Sequence, residues 1–282
     1  LNPSCTLIKP GAVGKSSEIA LTLVVKVAMS TSNSGFFPGG FKVDSLWGVE
    51  KTLIRTSVLQ VIKTKRRLDM ARTQDLFPTR LERKLGMFER LDPVVHTPEE
   101  RLGDGPLTED KVREFDERGF LFFESFFDKS EMDKFIEELQ EYEEDEDLKL
   151  SEGTILEPGK EEIRSIFGIH EISERFDRLT RDPRLLKIVR QLVDSDVYIH
   201  QSRINYKPGF KGKGFNWHSD FETWHSEDGM PGMRCLSCSI VMTDNNEFNG
   251  PLMLIPGSHK YFIPCVGRTP EDNYKESLKI QD

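Results

Sequence analysis

Within Trp217-His218-Ser219-Asp220, an imidazole and a carboxylate stand two residues apart. On extended backbone that spacing turns both side chains the same way, so His218 and Asp220 can reach one metal ion together. A His and an Asp, joined by a second His from elsewhere, form the facial donor set of non-haem Fe(II) oxygenases, which leaves open positions for substrate and oxygen. The spacing by itself is common and gains meaning from its surroundings. Trp217, Phe221 and Trp224 supply an aromatic wall, and Gln201, Arg203, Asn205 and Lys207 fall on one face of a period-two segment. Charged groups on a half-buried strand are costly without partners. The carboxylates of a bound diacid would serve, and so would a ladder of structural salt bridges.

Other motifs carry less. Cys235 and Cys238 have CxxC spacing, but on a strand an offset of three sends the thiols to opposite faces, so core cysteines are expected. Gly209, Gly212 and Gly214 lie among basic residues without the Lys-Ser or Lys-Thr ending of a phosphate-binding loop. The acidic run Glu141 to Asp147 reads as a solvated helix end, not a cation site. His225 and His259 are the histidines that follow the pair downstream.

The elements that must position the pair are legible from periodicity and caps. Thr108 precedes a helical pattern through Arg118, closed by Gly119. Phe120 to Phe123 reads as a short buried strand. Asp128 and Glu131 form a capping box before a helix with Met132, Phe135, Ile136 and Leu139 on one face. Asp182-Pro183 opens a further helix with Leu185, Ile188, Val189, Leu192 and Val193 as its buried stripe. Val197 to Tyr206 then alternates as a strand, and strands are expected over Arg234 to Thr243 and Gly250 to Ile255. The His218/Asp220 pair is expected on or just after a strand end. Helices first and strands later suggest an α+β or helix-decorated β-barrel architecture, not a parallel sheet.

The 282 residues, 37% hydrophobic and 31% charged, give a globular composition, and the longest apolar stretch, Ile19 to Met29, contains Lys26 and is too short to span a bilayer. Four cysteines argue for a reducing compartment. The net charge of −9 divides unevenly: residues 1–74 carry 11 Lys and Arg against 4 Asp and Glu, and the remainder is strongly acidic. Residues 1–74 therefore read as a basic extension, either an organelle-targeting segment or upstream sequence outside the fold. An acidic remainder repels nucleic acid and anionic membranes and favours a small-molecule partner.

The segment from Gln201 to Pro231, QSRINYKPGFKGKGFNWHSDFETWHSEDGMP, closely resembles the signature of the ectoine hydroxylases, a branch of the phytanoyl-CoA dioxygenase superfamily. Similar stretches are DLFPTR from Asp75, RLDPVVHT from Arg90, IRSIFGIH from Ile163 and FNGPLMLIPGSHKYF from Phe248, so the resemblance covers residues 75–282.

The resemblance implies a double-stranded β-helix (jelly-roll) core decorated by N-terminal helices. It implies an enzyme that uses Fe(II), 2-oxoglutarate and oxygen to convert ectoine to 5-hydroxyectoine, a compatible solute made under osmotic stress. By motif position His218 and Asp220 would be the iron ligands. Lys207, with Asn205 and Ser239, would hold 2-oxoglutarate, and Gln201, Trp224 and Thr223 would hold ectoine. The family's second His ligand and its closing strands would fall after Asp282, so the chain is expected to be C-terminally incomplete and to bind iron weakly. A related dioxygenase on another small polar substrate, or a non-catalytic fragment, is the alternative. The expected setting is cytoplasmic, and the expected assembly is a homodimer.

Overall fold

In a computed structural model the described residues are 20–29, by strand geometry and pairing alone, and 75–79, 86–159, 162–207, 217–245 and 251–264. The chain divides into two units, residues 1–30 with 79–282, and residues 31–78. Of the second, the described residues are 75–78, where the Phe77 N–H donates to Asp75 Oδ1 at 3.0 Å.

In the first unit β1 (Ala20–Met29) and the short β2 (Phe88–Glu89) precede α1 (Glu109–Arg118). Thr108 caps α1 through its hydroxyl, which accepts from the Lys111 N–H at 3.4 Å. Gly119 ends it with φ +85°, where a Cβ would also run into the His259 ring, so glycine is required twice over. Next come α2 (Lys129–Glu144), with the Asp128 N–H donating to Glu131 Oε2 at 3.0 Å, and the one-turn α3 (Glu146–Lys149). The hairpin β3 (Thr154–Leu156) and β4 (Ile163–Phe167) leads into α4 (Ile169–Ile172), α5 (Glu174–Thr180) and α6 (Pro183–Val193). As the Asp-Pro pair predicts, Asp182 accepts from the Arg184 N–H at 2.7 Å and Pro183 opens α6. Last are β5 (Val197–Lys207), α7 (Asp220–Asp228), β6 (Cys235–Val241) and β7 (Tyr261–Phe262).

Among the described residues all strand pairing is antiparallel: a five-stranded sheet in the order β3-β4-β5-β1-β6 and a two-stranded β2-β7 ribbon. A mixed helix-and-sheet architecture is what the order of patterns implied. One face of the sheet is the core. Ser202, Ile204 and Tyr206 of β5 are buried while Gln201, Arg203 and Asn205 between them are only half-buried. Against Ile163, Ile166, Ile204 and Ile240 pack Met132, Phe135 and Leu139 of α2 and Phe176 and Leu179 of α5. Full burial of each such side chain stabilises by roughly 1.5–3 kcal/mol. A smaller cluster seats α1 on α6 through Val112, Phe115 and Leu192 with Leu102 and Leu107.

Three expectations are corrected. Phe120 to Phe123 is not a strand: Phe122 and Phe123 are 56% and 40% exposed, and Phe120 lies under the Arg118 guanidinium, 4.6 Å from ring centroid to Cζ. A four-residue apolar run has no period to distinguish it from a loop. Gly250 to Ile255 is not a strand over its described part, where Leu252, Met253 and Leu254 are well exposed. Lastly, residues 1–74 were expected to lie outside the fold, yet Ala20–Met29 is an inner strand of the sheet. A mainly apolar ten-residue run rich in valine and leucine, without Gly or Pro, suits a strand flanked on both sides.

Candidate active site

Ser219 is extended, with φ −105° and ψ 125°, and caps α7, so His218 and Asp220 flank an extended residue and face the same way. His218 Nε2 lies 3.4 Å from Asp220 Oδ1, with the two side chains 46% and 34% exposed. The residues just before Trp217, where a strand end is expected, lie outside the described residues. The pair converges as the spacing implied, with His218 two residues before α7 and Asp220 opening its first turn. Its position there suits the carboxylate, because the unpaired N–H groups of a helix N-terminus favour an acidic first residue.

The neighbours of the pair come from β5 and β6. Ser237 Oγ of β6 donates to Asp220 Oδ2 at 3.4 Å. On β5, Arg203 lies over the Phe167 ring at 5.4 Å; burial lowers its guanidinium pKa from the usual range, and the nearby Asp220 charge opposes the shift. Asn205 Oδ1 accepts from Ser165 Oγ at 3.0 Å, and Gln201 is half-buried on the same strand parity. The Lys207 backbone ends β5, and its side chain lies outside the described residues. Ser239 is exposed on β6.

The rest of α7 anchors the pair. Trp224 is buried, its ring edge-on to His200 at 5.2 Å, and His200 Nε2 meets Asp228 Oδ2 at 3.1 Å. Thr223 is half-buried on the same helix. His225 and His259 are held by backbone, with Nδ1 of the first 2.7 Å from Met230 O and Nε2 of the second 3.0 Å from Asp116 O. Burial pushes the half-buried Cys238 thiol up to about 11, so it is not set up as a nucleophile.

Sequence reasoning missed Ser237, whose role depends on pairing across the chain, and Arg90. The Arg90 guanidinium donates to Asp92 O at 2.9 Å, Pro93 O at 3.2 Å, His259 O at 3.5 Å and Met233 O, while Asp92 Oδ2 accepts from the Met233 N–H at 2.8 Å. The RLDP stretch therefore clamps the approach to β6 against the segment before β7. A surface cavity of about 550 Å³ beside Arg101, Lys187 and Arg190 is lined by none of the expected site residues.

Chemically, an imidazole and a carboxylate 3.4 Å apart, the carboxylate braced by a hydroxyl, fit two adjacent positions of a metal ion. Among the described residues no third His, Cys, Asp or Glu joins them. Residues 115–282 match the family described as phytanoyl-CoA dioxygenase (PhyH). The chain belongs to the phytanoyl-CoA dioxygenase family. Within it, the ectoine dioxygenase of Bordetella bronchiseptica is 51% identical over 74% of this chain and 67% of its own length. That of Halomonas elongata is 50% identical over 74% of this chain and 63% of its own. The chain thus spans about two thirds of the length of these relatives. A crystal structure of EctD from S. alaskensis with 2-oxoglutarate and 5-hydroxyectoine superposes with TM-score 0.66 at 41% identity, over 73% of this chain and 72% of that one. The same protein with bound Fe gives 0.65 at 42% identity, over 73% of each chain.

Proposed function

We propose that this phytanoyl-CoA dioxygenase family member is an Fe(II)- and 2-oxoglutarate-dependent dioxygenase that hydroxylates ectoine to 5-hydroxyectoine, on a jelly-roll core. The observation that carries the reading is the convergence of His218 and Asp220 in a chain half identical to ectoine dioxygenases. When bound, iron with 2-oxoglutarate supplies oxidation by O₂: one oxygen atom enters the substrate C–H bond, the other enters succinate, and carbon dioxide leaves. The residues of the chain bind and orient. His218 and Asp220 would hold the metal, and Ser237 keeps the Asp220 carboxylate turned toward His218. Lys207, a cation at the end of β5, suits a carboxylate of 2-oxoglutarate, with Asn205 and Ser239 as further polar groups. Gln201, Thr223 and Trp224 are assigned to ectoine, a compact zwitterion suited to an amide and an indole.

The same reading makes the chain a cytoplasmic enzyme of small molecules that works as a homodimer, without nucleic acid or membrane. An organelle address for residues 1–74 gains no support from bacterial relatives. Among the described residues no helix is long and apolar enough to cross a membrane.

The test is ectoine-dependent release of succinate in the presence of Fe(II), 2-oxoglutarate and oxygen, with 5-hydroxyectoine identified by mass spectrometry. His218→Ala and Asp220→Ala should each abolish both the release and the Fe(II) binding measured by titration. Succinate release that another small polar solute stimulates and ectoine does not would replace the substrate. Iron binding that survives both substitutions would remove the site.

A further inference from the structure

In the sheet order β3-β4-β5-β1-β6, strands β5 and β6 are neighbours only through β1. Thr22, Val24 and Lys26 stand opposite Asn205, Arg203 and Gln201 on one side, and opposite Val241, Ser239 and Ser237 on the other. Residues directly opposite in an antiparallel ladder share a face. By this register Gln201, Arg203 and Asn205 of β5 and Ser237 and Ser239 of β6 lie on one face of the sheet, two strand spacings or about 10 Å apart. Ser237 is the residue that reaches Asp220.

We propose that Ala20–Met29, which lies upstream of the family-matched residues, is a positioning strand for the site. It sets the spacing and register between the strand that carries Gln201, Asn205 and Lys207 and the strand that braces the Asp220 carboxylate. The consequence for catalysis rests on the dioxygenase reading; the strand itself does not.

The local chemistry agrees. The segment ALTLVVKVAM has neither Gly nor Pro and only one charge, and its valines favour extended backbone. A register shift between Lys26 and Val27 on the β5 side, next to the Lys26↔Gln201 pair, is the kind of irregularity that pins a register. Register is the quantity that matters, since a slip of one residue would turn Ser237 and Ser239 to the core face. Removing β1 would leave β5 and β6 as two separate unpaired edges.

Two native cysteines supply the test, because Cys238 stands opposite Val25 and Cys235 opposite Ala28. Opposed pairs alternate between wide and narrow, so of two pairs three residues apart one is the narrow kind that a disulfide can close. Chains of all 282 residues with Cys5→Ser and Cys265→Ser, carrying either Val25→Cys or Ala28→Cys, are oxidised mildly and mapped by mass spectrometry. One of the two should form an intrachain disulfide with its partner in high yield. Leu21→Cys, about 13 Å along the strand from position 25, should form none. No disulfide in either variant, a disulfide between chains, or equal yield from Leu21→Cys overturns the proposal.

In the full chain, Val25→Pro should speed amide exchange across Cys235–Val241 about tenfold and leave α6 unchanged, and should weaken Fe(II) binding about tenfold. Unaltered exchange across β6 also overturns it. A disulfide that forms in a chain whose parent binds no iron supports the strand and sinks only the dioxygenase reading.

Discussion

Asp220 shows what a single residue in this site depends on. Its carboxylate faces His218 through one oxygen and the Ser237 hydroxyl through the other. Hydroxyls that orient a metal-binding carboxylate commonly affect metal affinity by 10–100-fold, and a 3.4 Å bond belongs at the weak end of that range. Ser237→Ala is therefore expected to weaken Fe(II) binding about tenfold in a calorimetric titration while leaving thermal stability within ~0.5 kcal/mol of the parent, as for other exposed positions. Unchanged affinity would make the bond incidental. The His218/Asp220 pair was legible because its geometry is local: two side chains flank one extended residue, whichever element follows. Ser237 was not legible, because its meaning comes from a strand register that links residues 17 positions apart through a third segment.

At the scale of elements, the helices capped by Thr108, Asp128 and Asp182 and the strands Val197–Lys207 and Cys235–Val241 were legible, whereas the apolar run Phe120 to Phe123 was misread and the short helices α3 and α5 were missed. Caps are short-range signals. The Thr108, Asp128 and Asp182 side chains each act within three residues of themselves. Loops are held by long-range polar bonds that no local pattern announces. Gln191 of α6 is the clearest case, since its side chain is buried and fully engaged: Nε2 donates to Leu102 O at 2.7 Å and Leu107 O at 2.8 Å, and Oε1 accepts from the Leu107 N–H at 2.8 Å. In the helix pattern Gln191 is merely a polar residue beside the apolar stripe. Gln191→Leu keeps the volume but leaves three backbone groups of the Leu102–Leu107 loop without partners, at about 1–3 kcal/mol for each buried group left unpaired. Urea unfolding should show a loss of about 3 kcal/mol with an unchanged slope. A loss below 1 kcal/mol would mean that water replaces the side chain.

At the scale of the whole molecule, composition fixed the class and the resemblance covered residues 75–282, but Ala20–Met29 was assigned to an extension because its neighbours in the sequence are basic. Strand partners 168 residues or more away decided its place instead. The same long-range packing makes the fold respond to pH. Burial lowers the pKa of His96, helped by the Arg234 and Arg90 charges and opposed by Asp92 and Asp194. Burial likewise lowers His259, with Arg90 and Lys260 adding to the shift and Asp116 opposing it through the backbone bond and its charge. His259 donates through Nε2 to Asp116 O and keeps Nδ1 buried, so protonation would place a charge where no acceptor meets it. A histidine whose folded pKa lies below its unfolded value binds its proton more readily in the unfolded chain. Its contribution is thus fully present above about pH 6.5 and is lost as the pH falls from there through the folded pKa. The carboxylates with lowered pKa, Glu131 and Asp182 beside Arg184 among them, lose their contribution only below their own ordinary range near pH 4. The two windows separate. Thermal midpoints should be level from pH 8 to 7 and fall between about 6.5 and 5, before the carboxylates begin to titrate. His259→Gln retains an N–H for Asp116 O and cannot charge, so it should flatten part of that fall, and His96→Gln with it should remove most of the remainder. An unaltered slope between pH 6.5 and 5 in the double variant would assign the acid sensitivity to other groups.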